Sequence, residues 1–293
     1  MDLAMKSQGK PQWACIKENV GIWNGSFLQF SADGEVVKDT PSVLTLEETT
    51  LNQTLSLTLE RMPEGEPKKV NHLTFTYPGL APYTYFFESG AFSQGAAQWT
   101  AFGQFVNEYS LKVRDDRRVR FVVAYDSTQR YTSAIKYVTL ICETQTGGSQ
   151  FNPAAIAFEE ILGEWTGTGE ALMVDVFKPD CRDAWTLTEE SLLCHEQIEE
   201  SQYTLSLEHP EVSSNQAVVH FTGADGALDY QLMLLPKGAY CFLPKEIKQD
   251  SPFRLEVGWI SEDSVRSRFI RYYDKRGVWT HSALFRDEPV RQR

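Results

Sequence analysis

Along this chain apolar and polar positions alternate in short runs, broken by Gly, Pro, Asp and Asn. Period-two alternation is the pattern of half-buried β-strands, and clusters of turn residues between runs mark hairpins. Gly25–Phe30 leads through Ala32-Asp33-Gly34 into Glu35–Lys38, with Asp-Gly as the hairpin signal. Leu51–Leu59 puts Leu51, Leu55, Leu57 and Leu59 on one face. Asn71–Tyr77, Tyr83–Phe87, Glu108–Val113, Arg118–Tyr125 and Tyr131–Cys142 follow. The second half has Trp185–Thr188, Gln202–Leu207, Ala217–Phe221, Tyr230–Leu235, Phe253–Trp259, Ser267–Tyr273 and Trp279–Phe285. Helical periodicity is scarce. Gln12–Asn19 predicts about two turns. Pro153–Leu162 predicts a helix with Asn152 as N-cap and Pro153 in first position, with Glu159 and Glu160 following. The polar stretch Glu143–Asn152 reads as a linker, dividing the chain into residues 1–146 and 147–293.

The two halves repeat each other. Gly21-Ile22-Trp23 and Gly163-Glu164-Trp165, each behind a short helix candidate, are 142 positions apart. Phe86-Phe87-Glu88-Ser89-Gly90-Ala91-Phe92 lines up with Leu234-Leu235-Pro236-Lys237-Gly238-Ala239-Tyr240 at an offset of 148. Arg120–Asp126 lines up with Arg268–Asp274 at the same offset. Three anchors in one order indicate a duplicated all-β domain. A Gly-x-Trp strand followed by up-and-down strands is the recipe of a closed barrel, which leaves no edge to protect.

Each Gly-x-Trp opening resembles that of the lipocalin or calycin group. The pattern Trp-x-x-Ile-x-x-Asn-x-Gly-x-Trp-x-Gly-x-Phe, Trp13 to Phe27, and the duplication resemble a two-barrel lipocalin-like family of unknown function, found mainly in cyanobacteria and chloroplast-bearing lineages. The expected fold is all-β: two tandem lipocalin-like antiparallel β-barrels. Bilin lyases of the S/U type share the fold by analogy, as single barrels. In lipocalins an Arg from a late strand covers the first-strand Trp. Trp23 and Trp165 are thus expected as barrel floors, with Arg120 and Arg268 over them through cation–π contacts.

Composition narrows the function. In 293 residues, 42 % apolar and 23 % charged residues fit an ordinary globular chain, and a net charge of −12 argues against general nucleic-acid binding. No run is long and apolar enough to span a membrane, and Met1–Gln12 has no apolar core of a signal peptide, which points to the cytoplasm. Ser264–Arg293 carries eight Lys/Arg against three Asp/Glu, a basic segment able to meet an acidic partner or a merely solvated strand pair. The five cysteines have no CxxC spacing, and no nucleophile motif, phosphate loop or metal-ligand spacing occurs among the residues. No cofactor is expected.

Alternation in Val119–Tyr125 gives an apolar face of Val119, Phe121, Val123 and Tyr125, expected to point into the first barrel. The matching face of the second half is Ser267, Phe269, Arg271 and Tyr273. On that register Arg271 points into the second barrel, where a guanidinium needs an anionic ligand or an internal carboxylate. A bulge would reverse it. Arg271, Tyr273, Trp279, His281 and Phe285 are the candidate ligand-binding residues. The aromatic stretch Tyr77 to Phe92 is either a lid or docking patch, or a buried hairpin. The leading expectation is a non-catalytic carrier of a hydrophobic or amphipathic small molecule of the tetrapyrrole, carotenoid-derived or fatty-acyl class. A bilin lyase or isomerase, and a structural or assembly protein with filled barrels, are the alternatives.

Overall fold

The computed structural model describes residues 10–80, 83–129, 131–152, 154–173, 177–198, 200–261 and 263–290. Helix α1 (Gln12–Lys17) leads into β1 (Gly21–Phe30), β2 (Val36–Thr50), β3 (Thr54–Arg61), β4 (Lys69–Thr76), β5 (Thr84–Phe86), β6 (Phe92–Gly95), β7 (Phe105–Arg114), β8 (Arg117–Gln129) and β9 (Thr132–Gln145). The second half has β10 (Gly163–Met173), β11 (Phe177–Leu187), β12 (Ser191–Ile198), β13 (Ser201–Val212), β14 (Val218–Gly223), β15 (Tyr230–Leu234), β16 (Ala239–Pro244), β17 (Glu246–Lys248), β18 (Phe253–Ile260), β19 (Arg266–Tyr273) and β20 (Trp279–Pro289). Pairing is antiparallel throughout. No helix among the described residues is long and apolar enough to cross a membrane.

The all-β duplicated architecture is as expected, but the units close differently. The second is a closed barrel, β10-β11-β12-β13-β14-β15-β16-β18-β19-β20. The first is a half-barrel, ordered β4-β3-β2-β1-β9-β8-β7-β6-β5, with β4 and β5 as its ends. Strand β17 leaves the second half and pairs with Thr132–Ala134 of β9, stitching the units together.

Three local expectations change. Leu51 lies in a turn and is exposed, so β3 starts at Thr54. The expected linker is partly strand, because β9 runs to Gln145. The expected helix at Pro153–Leu162 is reduced to a 3-10 turn, Phe158–Ile161, and Pro153 lies outside the described residues. Ala155 bridges to Pro236 and the Ala154 carbonyl accepts from Lys237 N, which holds that segment extended.

Both Gly-x-Trp openings behave alike. Gly21 has φ +143° and Gly163 +110°, conformations that disfavour any side chain. Trp23 Nε1 donates to Asn19 O at 2.9 Å, and Trp165 Nε1 to Ile161 O at 3.1 Å. Each indole thus anchors its strand to the turn before it.

The apolar face of β8 points away from the half-barrel's hollow. Phe105, Tyr109, Val119, Phe121, Val123 and Tyr125 pack against the closed barrel. Tyr109 meets Phe269 at 5.6 Å, and Tyr125 Oη donates to Pro244 O at 2.7 Å. The expected direction is therefore reversed, for a physical reason. The apolar face of β8 is used up against the closed barrel, and its other face turns Arg118 and Arg120 toward Trp23 and Glu143.

Candidate functional site

The hollow of the half-barrel is walled by leucine. Register sets Trp23, Leu44 and Leu59 side by side, and Leu46, Leu57 and Leu73 in the next row. Leu55 pairs with Phe75, and Phe86 and Leu80 complete the apolar wall. Apart from Trp23 and Leu55, which lie behind the wall, these residues line a cleft of about 190 Å³.

Its floor is ionic. Arg118 Cζ lies 4.3 Å from the Trp23 ring, and Arg120 Cζ lies 5.7 Å from Phe27. Glu143 of β9 accepts from both arginines: from Arg118 Nε at 2.6 Å and from Arg120 Nε and Nη2 at 2.9 and 2.8 Å. Burial alone would raise the Glu143 carboxyl, but the two guanidiniums outweigh it and hold the pKa down at about 2. Arg120 also donates to Glu108 at 2.7 Å, and Arg118 to Asn19 Oδ1 at 3.2 Å.

The closed barrel repeats this motif. Arg266 Cζ lies 4.7 Å from Trp165 and 4.1 Å from Trp185. Asp287 Oδ2 accepts from Arg266 Nε at 2.8 Å and Arg268 Nε at 2.6 Å. Arg268 further pairs with Asp183 at 2.6 Å and Glu256 at 3.2 Å, while Arg254 pairs with Glu196 and Glu256. Three guanidiniums thus face four carboxyls. Burial pushes Asp183 up to about 7, assisted by Asp287 and Glu196 against the pull of Arg268. Of the four carboxyls it is thus the one that burial makes easiest to protonate. This barrel is filled by its own side chains.

Glycine makes room for the carboxylate in both units. A side chain on Gly25 would meet Glu143 Cγ at 2.8 Å, and one on Gly167 would collide with Asp287. The signal was in the sequence: Arg118-Val119-Arg120 and Arg266-Ser267-Arg268 repeat at the offset of 148. Arg120 and Arg268 belong to these clusters, but Arg118 and Arg266, two positions earlier, cover the Trp rings. Sequence reasoning also passed over Glu143 and Asp287.

The five candidate ligand residues are not brought together. Arg271 lies between the units, fully buried, with neutral partners: its Nε donates to Tyr273 Oη at 3.1 Å and its Nη1 to Ser93 Oγ at 2.9 Å. Tyr273 Oη donates to Asn107 Oδ1 at 2.9 Å. Trp279 joins this seam, 5.2 Å from Arg271 Cζ and stacked on Tyr85 at 4.8 Å. His281 and Phe285 face the interior of the closed barrel, with His281 stacked on Tyr272 at 4.2 Å. A bulge at Thr280 separates the two groups, since Tyr273 pairs with Trp279 and Tyr272 with His281. Burial lowers His281 to about 4, so it is neutral at physiological pH.

The aromatic stretch Tyr77 to Phe92 is largely folded in. Tyr85 and Phe87 pack on the barrel and Phe86 in the cleft, while Tyr77 and Tyr83 are exposed; Ala81 and Pro82 lie outside the described residues. The basic end segment loses Arg266, Arg268 and Arg271 to the interior. All five thiols are buried. A second, open groove of about 710 Å³ runs between the units, with Lys112, Arg182, Arg286 and Glu170 on its walls.

The two halves match two different family models. Residues 9–148 match the N-terminal domain model of a domain of unknown function, DUF3598. Residues 152–290 match the C-terminal domain model of "biogenesis factor required for ATP synthase 1". The crystal structure of a DUF3598-family protein of unknown function from Nostoc punctiforme is 29 % identical over 96 % of this chain and all of that one, with a TM-score of 0.81. The S-type phycobiliprotein lyase from Guillardia theta is a distant likeness, 10 % identical over 46 % of this chain and 92 % of that one, at 0.32. No match is found among curated proteins.

Proposed function

We propose that this protein is a non-catalytic assembly factor that holds an unassembled polypeptide on its way into a larger complex, with ATP synthase as that complex. The observation that carries the reading is the state of the two interiors. The closed barrel is occupied by its own arginines, carboxyls and indoles. The half-barrel cleft, about 190 Å³, is smaller than the roughly 300–1,000 Å³ of small-molecule sites. The match of residues 152–290 to a biogenesis-factor domain supports the choice of complex.

Deleting the gene in the source organism tests this. Assembled ATP synthase, resolved on native gels, should fall while its transcripts stay constant and free subunits persist. Unchanged amounts of assembled complex would overturn the reading.

A second reading, the amphipathic carrier, draws on one feature: the leucine walls end at Arg120 and Glu108, so an apolar tail could lie beneath a polar head. Native mass spectrometry of protein purified from its host should then show a copurifying molecule, displaced when Leu57 becomes Asp.

A further inference from the structure

The half-barrel is the closed barrel with one strand left out. In chain order β1 to β4 correspond to β10 to β13, and β5 to β9 correspond to β15, β16, β18, β19 and β20, which leaves β14 as the one barrel strand without a counterpart, β17 lying outside the barrel. Seven residues, 77–83, join β4 to β5, whereas 213–229 join β13 to β15 and contain β14. The shorter connection has no length for a further strand and its two turns.

The vacant place has an internal witness. Phe86 and Leu234 are matched positions of the repeat. Leu234 N donates to Ala217 O, just before β14, at 2.8 Å. Phe86 N instead donates to Gln12 Oε1 at 2.7 Å, and Gln12 Nε2 donates back to Phe86 O at 2.7 Å. A side-chain carboxamide thus stands in for the missing peptide at β5. The β4 side has no such cover: Val70 is 42 % and Leu73 57 % exposed. Thr84 Oγ1, on the cleft wall, is buried without a hydrogen-bond partner.

The geometry points to the space between β4 and β5 as a receptor for one extended segment of a partner polypeptide, which pairs with the free edge of β4 and sends alternate apolar side chains into the leucine cleft. This deepens the assembly-factor reading and rests on it for the identity of the partner. β14 shows what fits: Val219 and Phe221 are buried one residue apart, with Phe221 against Phe242, while His220 between them is on the other face. A cleft of about 190 Å³ has the volume of such side chains and not of a larger guest. Pairing of this kind draws affinity from backbone hydrogen bonds and specificity from alternate side chains.

The test uses the intact protein and a fluorescent peptide with the sequence of residues 216–224. Saturable binding is expected, with the β4 amides gaining protection from hydrogen exchange. Asp at the positions of Val219 and Phe221 in the peptide should weaken binding more than about tenfold, the worth of a buried apolar side chain. Leu73→Asp in the protein should do the same, with its thermal unfolding unchanged as proof of folding. No saturable binding, binding indifferent to Leu73→Asp, or a β4-dependent dimer in sedimentation would each overturn the proposal. Failure here is separable from failure of the assembly role. A deletion strain fully rescued by Leu73→Asp overturns the receptor and leaves the assembly role standing. Peptide binding that depends on Leu73, with assembled complex unaffected by deletion, overturns only the choice of complex.

Discussion

The closed barrel and the half-barrel share an Arg-x-Arg pair over an indole, held by one carboxylate from the last strand, yet they differ in what surrounds it. In the closed barrel the cluster is sealed on all sides, and the charges must balance within it. In the half-barrel the same cluster is also buried, but it lies beneath an apolar cleft and ends at the partly exposed Glu108. The difference shows that the ionic cluster belongs to the architecture of the repeat, while the missing strand leaves one copy with an open apolar cleft. Buried ion pairs of this sort are costly to break, because the surviving partner is left desolvated.

The largest effect should come from breaking the cluster where it is sealed. Asp287→Ala leaves Arg266 with no carboxylate, and should cost about 3–5 kcal/mol in urea denaturation. Glu143→Ala in the half-barrel should cost less, roughly 2 kcal/mol. There Arg120 keeps Glu108 and Arg118 keeps Asn19. Equal losses would mean that Glu108 and Asn19 do not make up for the lost carboxylate.

Protonation separates the units next. Asp183 is raised to about 7 by burial, so the folded state holds a proton there that the unfolded chain releases near pH 4. Its contribution is full below pH 4 and is lost as pH rises through 7. Glu143 is lowered to about 2, so its contribution is full above the ordinary carboxylate range and is lost as pH falls toward 2. Asp183→Asn should flatten the decline in melting temperature between pH 4 and 7, and leave the acid limb unchanged. An unaltered profile would remove Asp183 from the charge balance.

Gln12→Ala comes third. It removes two hydrogen bonds to Phe86 and should cost about 1–2 kcal/mol, with faster amide exchange confined to β5. Exchange spreading into the closed barrel would show that α1 supports more than one strand edge.

The strands and the repeat could be read from alternation and from the Gly-x-Trp pairs, because local pattern dictates both. The direction of the faces could not. Val119, Phe121, Val123 and Tyr125 form an apolar face whether it points into a hollow or onto a neighbouring unit, and one strand alone does not say which. Arg271 inherited that inversion. The bulge at Thr280 then split Trp279 from His281, and nothing in that run marks a bulge. Closure was equally hidden: the seven-residue connection after β4 is visible, but its meaning requires the strand order. The Arg-x-Arg repeat was visible and passed over, because its carboxylate lies a full strand away.

The smallest effect is the sharpest for the comparison. Leu73 sits in the apolar row with Leu46 and Leu57, yet more than half of it is exposed, because no strand lies beyond β4. Leu73→Asp should therefore change the unfolding free energy by no more than about 0.5 kcal/mol, as surface substitutions do. Phe221 of β14, inside the closed ring, has no such freedom, being buried against Phe242. An apolar wall residue that can take a charge without loss of stability is kept apolar by something other than folding. Should Leu73→Asp unfold the protein instead, the row would be core, and the open side of the half-barrel would be a closed seam rather than a place for a partner's strand.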